Sequence, residues 1–348
     1  MSNPKLAVFL TIMKRTATLS SLAALLALTL YPANAIAKTQ HKTWTDFATA
    51  QKEDPDFSIQ GEYGSTKAGA AAGVQIIARG NGKFDAYLLQ DGLPGLGWIR
   101  GKTRTLLQGT RNGDSDKISL ASSDKKITAS IEGSNFILTD AKGKKSSLPR
   151  IQRNSPSLGA KPPKGAVVLF DGSTAEHWEK GKIVNGNLLT TGCTSKQHFK
   201  GYTLHLEFLT PYKPTATGQK RGNSGIYHSG RWETQILDSF GLDGKDNECG
   251  GIYSVSPPRL NMCLPPLNWQ TYDVVFTAAT FDAQGKRTTW PRITVKLNGV
   301  LVHDNLALTK DLTASAPIKG PLTHPEGPIF IQNHDNPVVF RNIWVVPQ

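Results

Sequence analysis

Two polar couples, far apart along the chain, have the residue types and spacing to do chemistry. The first is Glu233 and Gln235, within Trp232-Glu233-Thr234-Gln235-Ile236-Leu237. Successive side chains of a β-strand leave opposite faces, so Glu233 and Gln235 share one face, about 7 Å apart, while Trp232, Thr234 and Ile236 take the other. The second couple is Gln332 and His334, within Ile331-Gln332-Asn333-His334-Asp335-Asn336-Pro337. The same alternation puts them together and turns Ile331 away. If the two strands lie side by side, a carboxylate, two carboxamides and an imidazole converge. Such a set can hold a divalent cation, or exchange protons and hydrogen bonds with a hydroxylated ligand. It lacks the several carboxylates of a strong calcium cage and the His-rich ligation of most catalytic zinc sites, so a metal is permitted and not demanded. The competing account is a hydrogen-bonded polar sheet face with no chemistry.

Other residues nearby in sequence could serve the same place. Arg221 and Asn223 stand at the mouth of the hairpin and could grip hydroxyls, although Asn at such a point also makes Asx-turns. Asp238 ends its strand and either caps a turn or swings in as a base. Trp232, Tyr253 and Asn261 could frame a sugar, whose ring offers apolar C–H faces to aromatic side chains. Trp269 and Trp344 are expected in the core. Asp243, Asp246 and Glu248 form a short acidic loop, read as solvated. No Gly-x-Ser-x-Gly, P-loop, dinucleotide fingerprint or His-Glu-x-x-His is present, which removes several common enzyme classes.

The elements that must position these residues read as strands. Residues 38–56 open with Trp44 and Phe47 in a polar segment with room for a helical turn. From 57 to 153 short strands alternate with turns, at 57–63, 74–78, 84–89, 117–120, 127–131, 136–139 and 146–151, with Gly80-Asn81-Gly82 as one hairpin turn. This predicts a small basic all-β domain over 38–155. Pro156, Pro162 and Pro163 stiffen a linker at 156–165. Residues 166–348 carry about ten further short strands and no amphipathic helix, including one at 251–255, with Asn298-Gly299 as a strong hairpin signal. A two-sheet jelly roll follows. The predicted fold class is thus all-β, a small N-terminal β domain followed by a concanavalin A-like two-sheet jelly-roll sandwich.

Charge and cysteines bound the setting. Residues 1–37 read as a secretory signal, with Lys14 and Arg15 before an apolar run and small-x-small cleavage sites ending at Ala35 and Ala37. The mature chain is then expected to be exported, to the periplasm or outside a bacterial cell, with no transmembrane segment once the signal is removed. The formal net charge is +13, of which +8 falls in residues 38–165 and +2 in 166–348. That bias points the first part towards an anionic glycan or surface. The lack of a basic helix or an aromatic RNA-binding motif argues against nucleic acid. Of the three cysteines, Cys249 and Cys263 are close enough in sequence to be bridged, leaving Cys193 free. Buried thiols are the other outcome.

Several stretches, in order, resemble one family. They are Gly222-Asn223-Ser224-Gly225, Glu233-Thr234-Gln235-Ile236-Leu237-Asp238-Ser239, Gly251-Ile252-Tyr253, Trp269-Gln270-Thr271-Tyr272-Asp273, Asn298-Gly299-Val300 and Phe340-Arg341-Asn342-Ile343-Trp344. Together they are similar to the 3-keto-disaccharide hydrolase domain family across 166–348. The resemblance implies cleavage of glycosides whose C3 hydroxyl has been oxidised to a ketone. The ketone acidifies the C2 hydrogen, so a modest base removes it, the C1 substituent is expelled, and water adds back. It implies Glu233 and His334 as acid–base groups or metal ligands, and Gln235 and Gln332 as groups orienting metal or sugar. Asp238 is the reserve base, and the tentative metal set is Glu233, Gln235 and His334. The chain departs from the family in having Asp335 after His334, where Gly is common, and Trp232 where Tyr is more usual. A carbohydrate-binding jelly roll without catalysis is the alternative function.

Overall fold

In a computed structural model of the protein, residues 41–111 and 117–348 are described; the expected secretory signal lies outside the described residues. Among them the one α-helix, Phe47–Glu53, begins where the Asp46 side chain accepts a hydrogen bond from the Thr49 amide at 2.8 Å, satisfying one of the amides that a first helical turn leaves unpaired. None of the described helices is long and apolar enough to cross a membrane.

The remaining regular structure is nearly all strand. Among the described residues, eight strands close into an antiparallel barrel: Gly61–Tyr63, Ala72–Gly80, Lys83–Gln90, Arg104–Arg111, Ile118–Ser122, Thr128–Glu132, Asn135–Thr139 and Lys145–Ile151, the last pairing with the first. Asn81 and Gly82 join the second and third strands with φ of 55° and 71°, the left-handed pair that a two-residue hairpin turn requires. Asn298 and Gly299 do the same further on, at 52° and 79°. Residues 57–60, read as strand, form a turn. Phe57 instead packs against Tyr212, ring centroids 4.9 Å apart. The Arg104–Arg111 strand escapes sequence reading because Arg-Thr-Leu-Leu-Gln-Gly-Thr-Arg does not alternate cleanly. Alternate inward residues such as Val74, Ile76, Phe84, Ala86, Leu107 and Phe136 fill the barrel.

Two further sheets face each other as a sandwich. In the smaller, the described strands run in the order Trp178–Glu179, Cys193–Ser195, Phe330–Ile331, Ser224–His228, Trp232–Ile236. In the larger they run Ile183–Val184, Leu188–Thr190, Val339–Pro347, Tyr202–Leu209, Gln270–Thr277, Arg292–Leu297, Val300–Ala307, and Val167–Phe170 also pairs with Val339–Pro347. Ile226, Trp232, Ile236 and Ile331 of the smaller sheet join Leu204, Leu206, Tyr272, Val274 and Phe276 of the larger in one core. Residues 251–255 do not form a strand. Ile252 makes isolated bridges to Thr234 and Ser256, and Pro257 and Pro258 follow, which cannot donate to a ladder. Cys193, Cys249 and Cys263 are all buried free thiols. The bridge weighed for the last two is not formed. The Cys249 sulfur lies 3.4 Å from the Tyr272 hydroxyl, and that of Cys263 lies 3.5 Å from the Leu237 carbonyl.

Candidate functional site

The Trp232–Ile236 strand alternates about the smaller sheet. Trp232, Thr234 and Ile236 face the core, and Glu233 and Gln235 face away from it. Its neighbour, however, is Ser224–His228. The strand ending at Ile331 lies on the far side of that one, so the two polar couples are two strand spacings apart, roughly 9–10 Å. What joins them is the residue type on the intervening strand. Gly225 pairs with Gln235 and presents no side chain; a Cβ there would stand 2.1 Å from Glu233 Oε1. The carboxylate occupies the space the glycine vacates. Tyr227 fills the next outward position, paired with Glu233 on one side and Phe330 on the other. Its hydroxyl accepts a hydrogen bond from Gln332 Nε2 at 3.0 Å, and its single hydrogen serves Glu233 Oε2 and the Ala314 carbonyl, each at 2.8 Å.

Asn223, Glu233, Gln235, Tyr253, Gln332 and His334 thus line one cavity of about 70 Å³, with Gln219 and residues 314–315 completing it. His334 is exposed at its mouth, on the loop beyond the Phe330–Ile331 strand. Tyr253 is held beside Glu233 by its own amide, which donates to the Glu233 carbonyl at 3.0 Å. Sequence reading missed Tyr227 and Gln219. Tyr227 was reachable, because the turn at Ser229-Gly230 sets the hairpin register that puts it opposite Glu233. Gln219 sits in a single 3₁₀ turn, Gly218–Lys220, which has no periodic signature.

The cavity is short of donors. Glu233 is 2 % exposed. Burial pushes its carboxyl up to about 7, against the lowering effect of the Tyr227 hydroxyl. Burial, with Glu233 alongside, also pushes the Tyr227 phenol up, so it stays a donor at neutral pH. Glu233 Oε1, Gln332 Oε1 and Asn223 Oδ1 are buried without a hydrogen-bond partner. A buried acceptor left without a donor costs about 1–3 kcal/mol. Three in one cavity therefore suit a ligand that brings hydroxyl groups or positive charge.

Four residues expected at the site lie elsewhere. Trp232 is on the inward face, packed against Phe276 at 5.8 Å, and its indole N–H donates to the Lys310 carbonyl at 2.7 Å. Arg221 and Asp238 form an ion pair at 2.6 Å with both side chains buried, so Asp238 is not a free base and Arg221 does not reach a ligand. Asn261 Nδ2 donates to the carbonyls of Ser239 and Leu242 at 2.8 and 3.0 Å, bracing a loop. Gln235 lines the cavity; its Oε1 accepts the Ile236 amide at 3.1 Å and its Nε2 donates to Gln219 Oε1 at 2.9 Å. Asp335 is exposed and does not line the cavity.

Since the vacancy at Gly225 is what admits the carboxylate, Gly225→Ala is expected to displace Glu233. A carboxylate moved out of its desolvated position should show less of the stability loss that its raised pKa causes between pH 4.5 and about 7. Melting curves over that range check this, and a variant with the wild-type pH dependence would mean that the carboxylate has not moved.

The fold and site are those of a two-sheet β-sandwich with a buried carboxylate among carboxamides on one sheet face. The model of the 3-keto-alpha-glucoside-1,2-lyase-like domain family matches residues 165–346, and the chain belongs to that family. Membership gives the protein a carbohydrate-active, hydrolase-type role at the coarse level. Among solved structures it is similar to a candidate glycosyl hydrolase from Parabacteroides distasonis ATCC 8503, at 32% identity, 53% of this chain, 85% of the other and a TM-score of 0.48. Another candidate glycosyl hydrolase from the same organism matches at 20% identity over 53% of this chain and 99% of the other, TM-score 0.37. No curated protein matches the chain.

Proposed function

We propose that the protein cleaves 3-keto-glycosides, with Glu233 as the base that removes the C2 proton. The observation that supports this most is a buried carboxyl with a pKa raised to about 7, beside two carboxamide oxygens that, like its own Oε1, lack donors. A general base works best when its pKa lies near the operating pH. A C3 ketone acidifies C2–H enough for such a base. The C2–H electron pair becomes the C2–C3 double bond of the enolate, its return expels the C1 oxygen substituent, and the proton rests on Glu233. Addition of water at C1, with that proton returned to C2, gives net hydrolysis; release of the enone gives a lyase. The Tyr227 hydroxyl holds the carboxyl in place. Asn223 and Gln332 accept hydrogen bonds from sugar hydroxyls, and His334 at the mouth is assigned protonation of the departing oxygen.

The donor set also fits a hard divalent cation. Among the described residues no three His, Cys, Asp or Glu side chains gather to hold a metal, but Glu233 Oε1, Asn223 Oδ1 and Gln332 Oε1 are buried oxygens without partners. Such oxygens are the ligands hard cations take. Bound there, the ion would supply Lewis-acid polarisation of the ketone oxygen. We further propose that the chain works after export, as the basic, signal-bearing N-terminal sequence suggests.

The test uses 4-nitrophenyl 3-keto-α-D-glucopyranoside and its unoxidised parent, each with EDTA and with added Mg²⁺, Mn²⁺ or Ca²⁺. Nitrophenolate release from the keto sugar alone, slowed by deuterium at C2 and lost in Glu233→Ala, is the expected result. Equal release from both sugars overturns the mechanism. No release, with glycan binding retained, favours a binding module instead.

A further inference from the structure

We propose that the N-terminal barrel sets which polar atoms the cavity presents, through a relay of hydrogen bonds that ends on Gln219. The barrel holds none of the cavity's lining residues. It does grip residues 239–248, a loop with two glycines and three acidic residues, whose other anchors are the buried Phe240 ring, the Asn261 amide and the Glu248 carboxylate that accepts the Gly244 and Lys245 amides. Ordering such a segment costs conformational entropy that its own contacts must offset. Arg104, in the barrel strand Arg104–Arg111, donates to the Asp243 carboxylate and the Gly241 carbonyl, and its guanidinium lies 3.5 Å over the Tyr87 ring. Arg100 Nη2 donates to the carbonyls of Gly244 and Pro258, both at 2.8 Å. Gly241 lies so close to the barrel that a Cβ would stand 2.4 Å from Ile77.

The far end of that loop faces the cavity. The Asn247 carbonyl accepts Gln219 Nε2 at 2.8 Å. A backbone carbonyl can only accept, so it turns the Gln219 amide one way round. Gln219 Oε1 must then face inward, where it accepts Asn223 Nδ2 and Gln235 Nε2, each at 2.9 Å. With its N–H₂ committed, Asn223 has only its oxygen left to offer, and that oxygen is one of the three without a partner. That carbonyl and the Gln235 amide, whose own oxygen accepts the Ile236 N–H at 3.1 Å, together turn these amides so that Asn223 offers an acceptor. With the carbonyl displaced, Gln219 keeps only its Gln235 and Asn223 contacts, and the Asn223 oxygen is held less firmly for a ligand. Gln219, Arg104 and Arg100 are positioning residues in this scheme. The kinetic part rests on the catalytic reading of the cavity; the structural part does not.

The experiment compares the full chain with Arg104→Ala, Arg104→Lys, Gln219→Leu and the Arg104→Ala/Gln219→Leu double variant. Hydrogen exchange is followed by mass spectrometry over residues 239–248 and 218–225, with KM and kcat for 4-nitrophenyl 3-keto-α-D-glucopyranoside. In Arg104→Ala, exchange should rise in both segments, and KM should rise about tenfold, the scale of one lost hydrogen bond, while kcat stays within about twofold. Arg104→Lys should fall between. In the Gln219→Leu background Arg104→Ala should change KM little further, because the relay is already cut. Exchange that rises at 239–248 alone, or KM effects that simply add, overturns the proposal. A wild-type chain without turnover sinks the catalytic reading, and the exchange arm still decides the relay.

Discussion

Glu233→Gln is expected to lower turnover of a 3-keto-glucoside at least about 10²-fold, the usual scale for a lost acid–base group, and at the same time to stabilise the protein at neutral pH. The two effects share a cause. Burial raises the Glu233 carboxyl from 4.5 to about 7, so the folded chain holds this proton more tightly than the unfolded chain does. A raised acid contributes its full stability below pH 4.5 and loses it as pH climbs to about 7. Above that the buried charge costs on the order of 3 kcal/mol relative to acid conditions. Glutamine keeps the shape and cannot ionise. Melting curves in EDTA from pH 4 to pH 8 should therefore show wild type losing stability through this window, while the variant loses less. Parallel curves would mean the carboxyl is not desolvated, and the base assignment would lose its support.

Arg221→Ala is expected to cost about 3–5 kcal/mol of folding stability, because it strands the Asp238 carboxylate in the interior. That carboxylate is wholly buried, and its partner guanidinium is nearly so. Arg221 also donates to the Pro214 carbonyl and to Gln60 Oε1, each at 3.4 Å. Replacing both partners, as Arg221→Met with Asp238→Leu, should recover most of the loss, since no charge is then left unpaired. Urea midpoints for the three proteins check this. A single variant that keeps its midpoint but loses substrate affinity would return Arg221 to the ligand-gripping role its sequence position suggests.

Legibility followed the range of the force concerned. Strand alternation is local, and it separated Glu233 and Gln235 from Trp232, Thr234 and Ile236 before any pairing was known. Hairpin turns are local too, and Asn81-Gly82 and Asn298-Gly299 stand where their left-handed backbones are needed. The Arg104–Arg111 strand was hidden because its pairing partners, more than its own pattern, make it a strand. Arg221, Asp238 and Asn261 looked like ligand groups for the same reason that they are not. Polar residues next to a site in sequence can spend their hydrogen bonds on the interior, and only the packing says which do.

By itself the chain determined that strands, turns and a sandwich would form and which face of one strand would be polar, because those follow from side-chain periodicity and backbone preference over a few residues. Only the tertiary structure decided that another strand stands between the two couples, that Gly225 leaves room for them to meet, and that a carbonyl on a barrel-held loop helps to orient the amides between. These are matters of strand order and register, which are set by burial summed over the whole sheet and leave no mark in any short stretch of sequence.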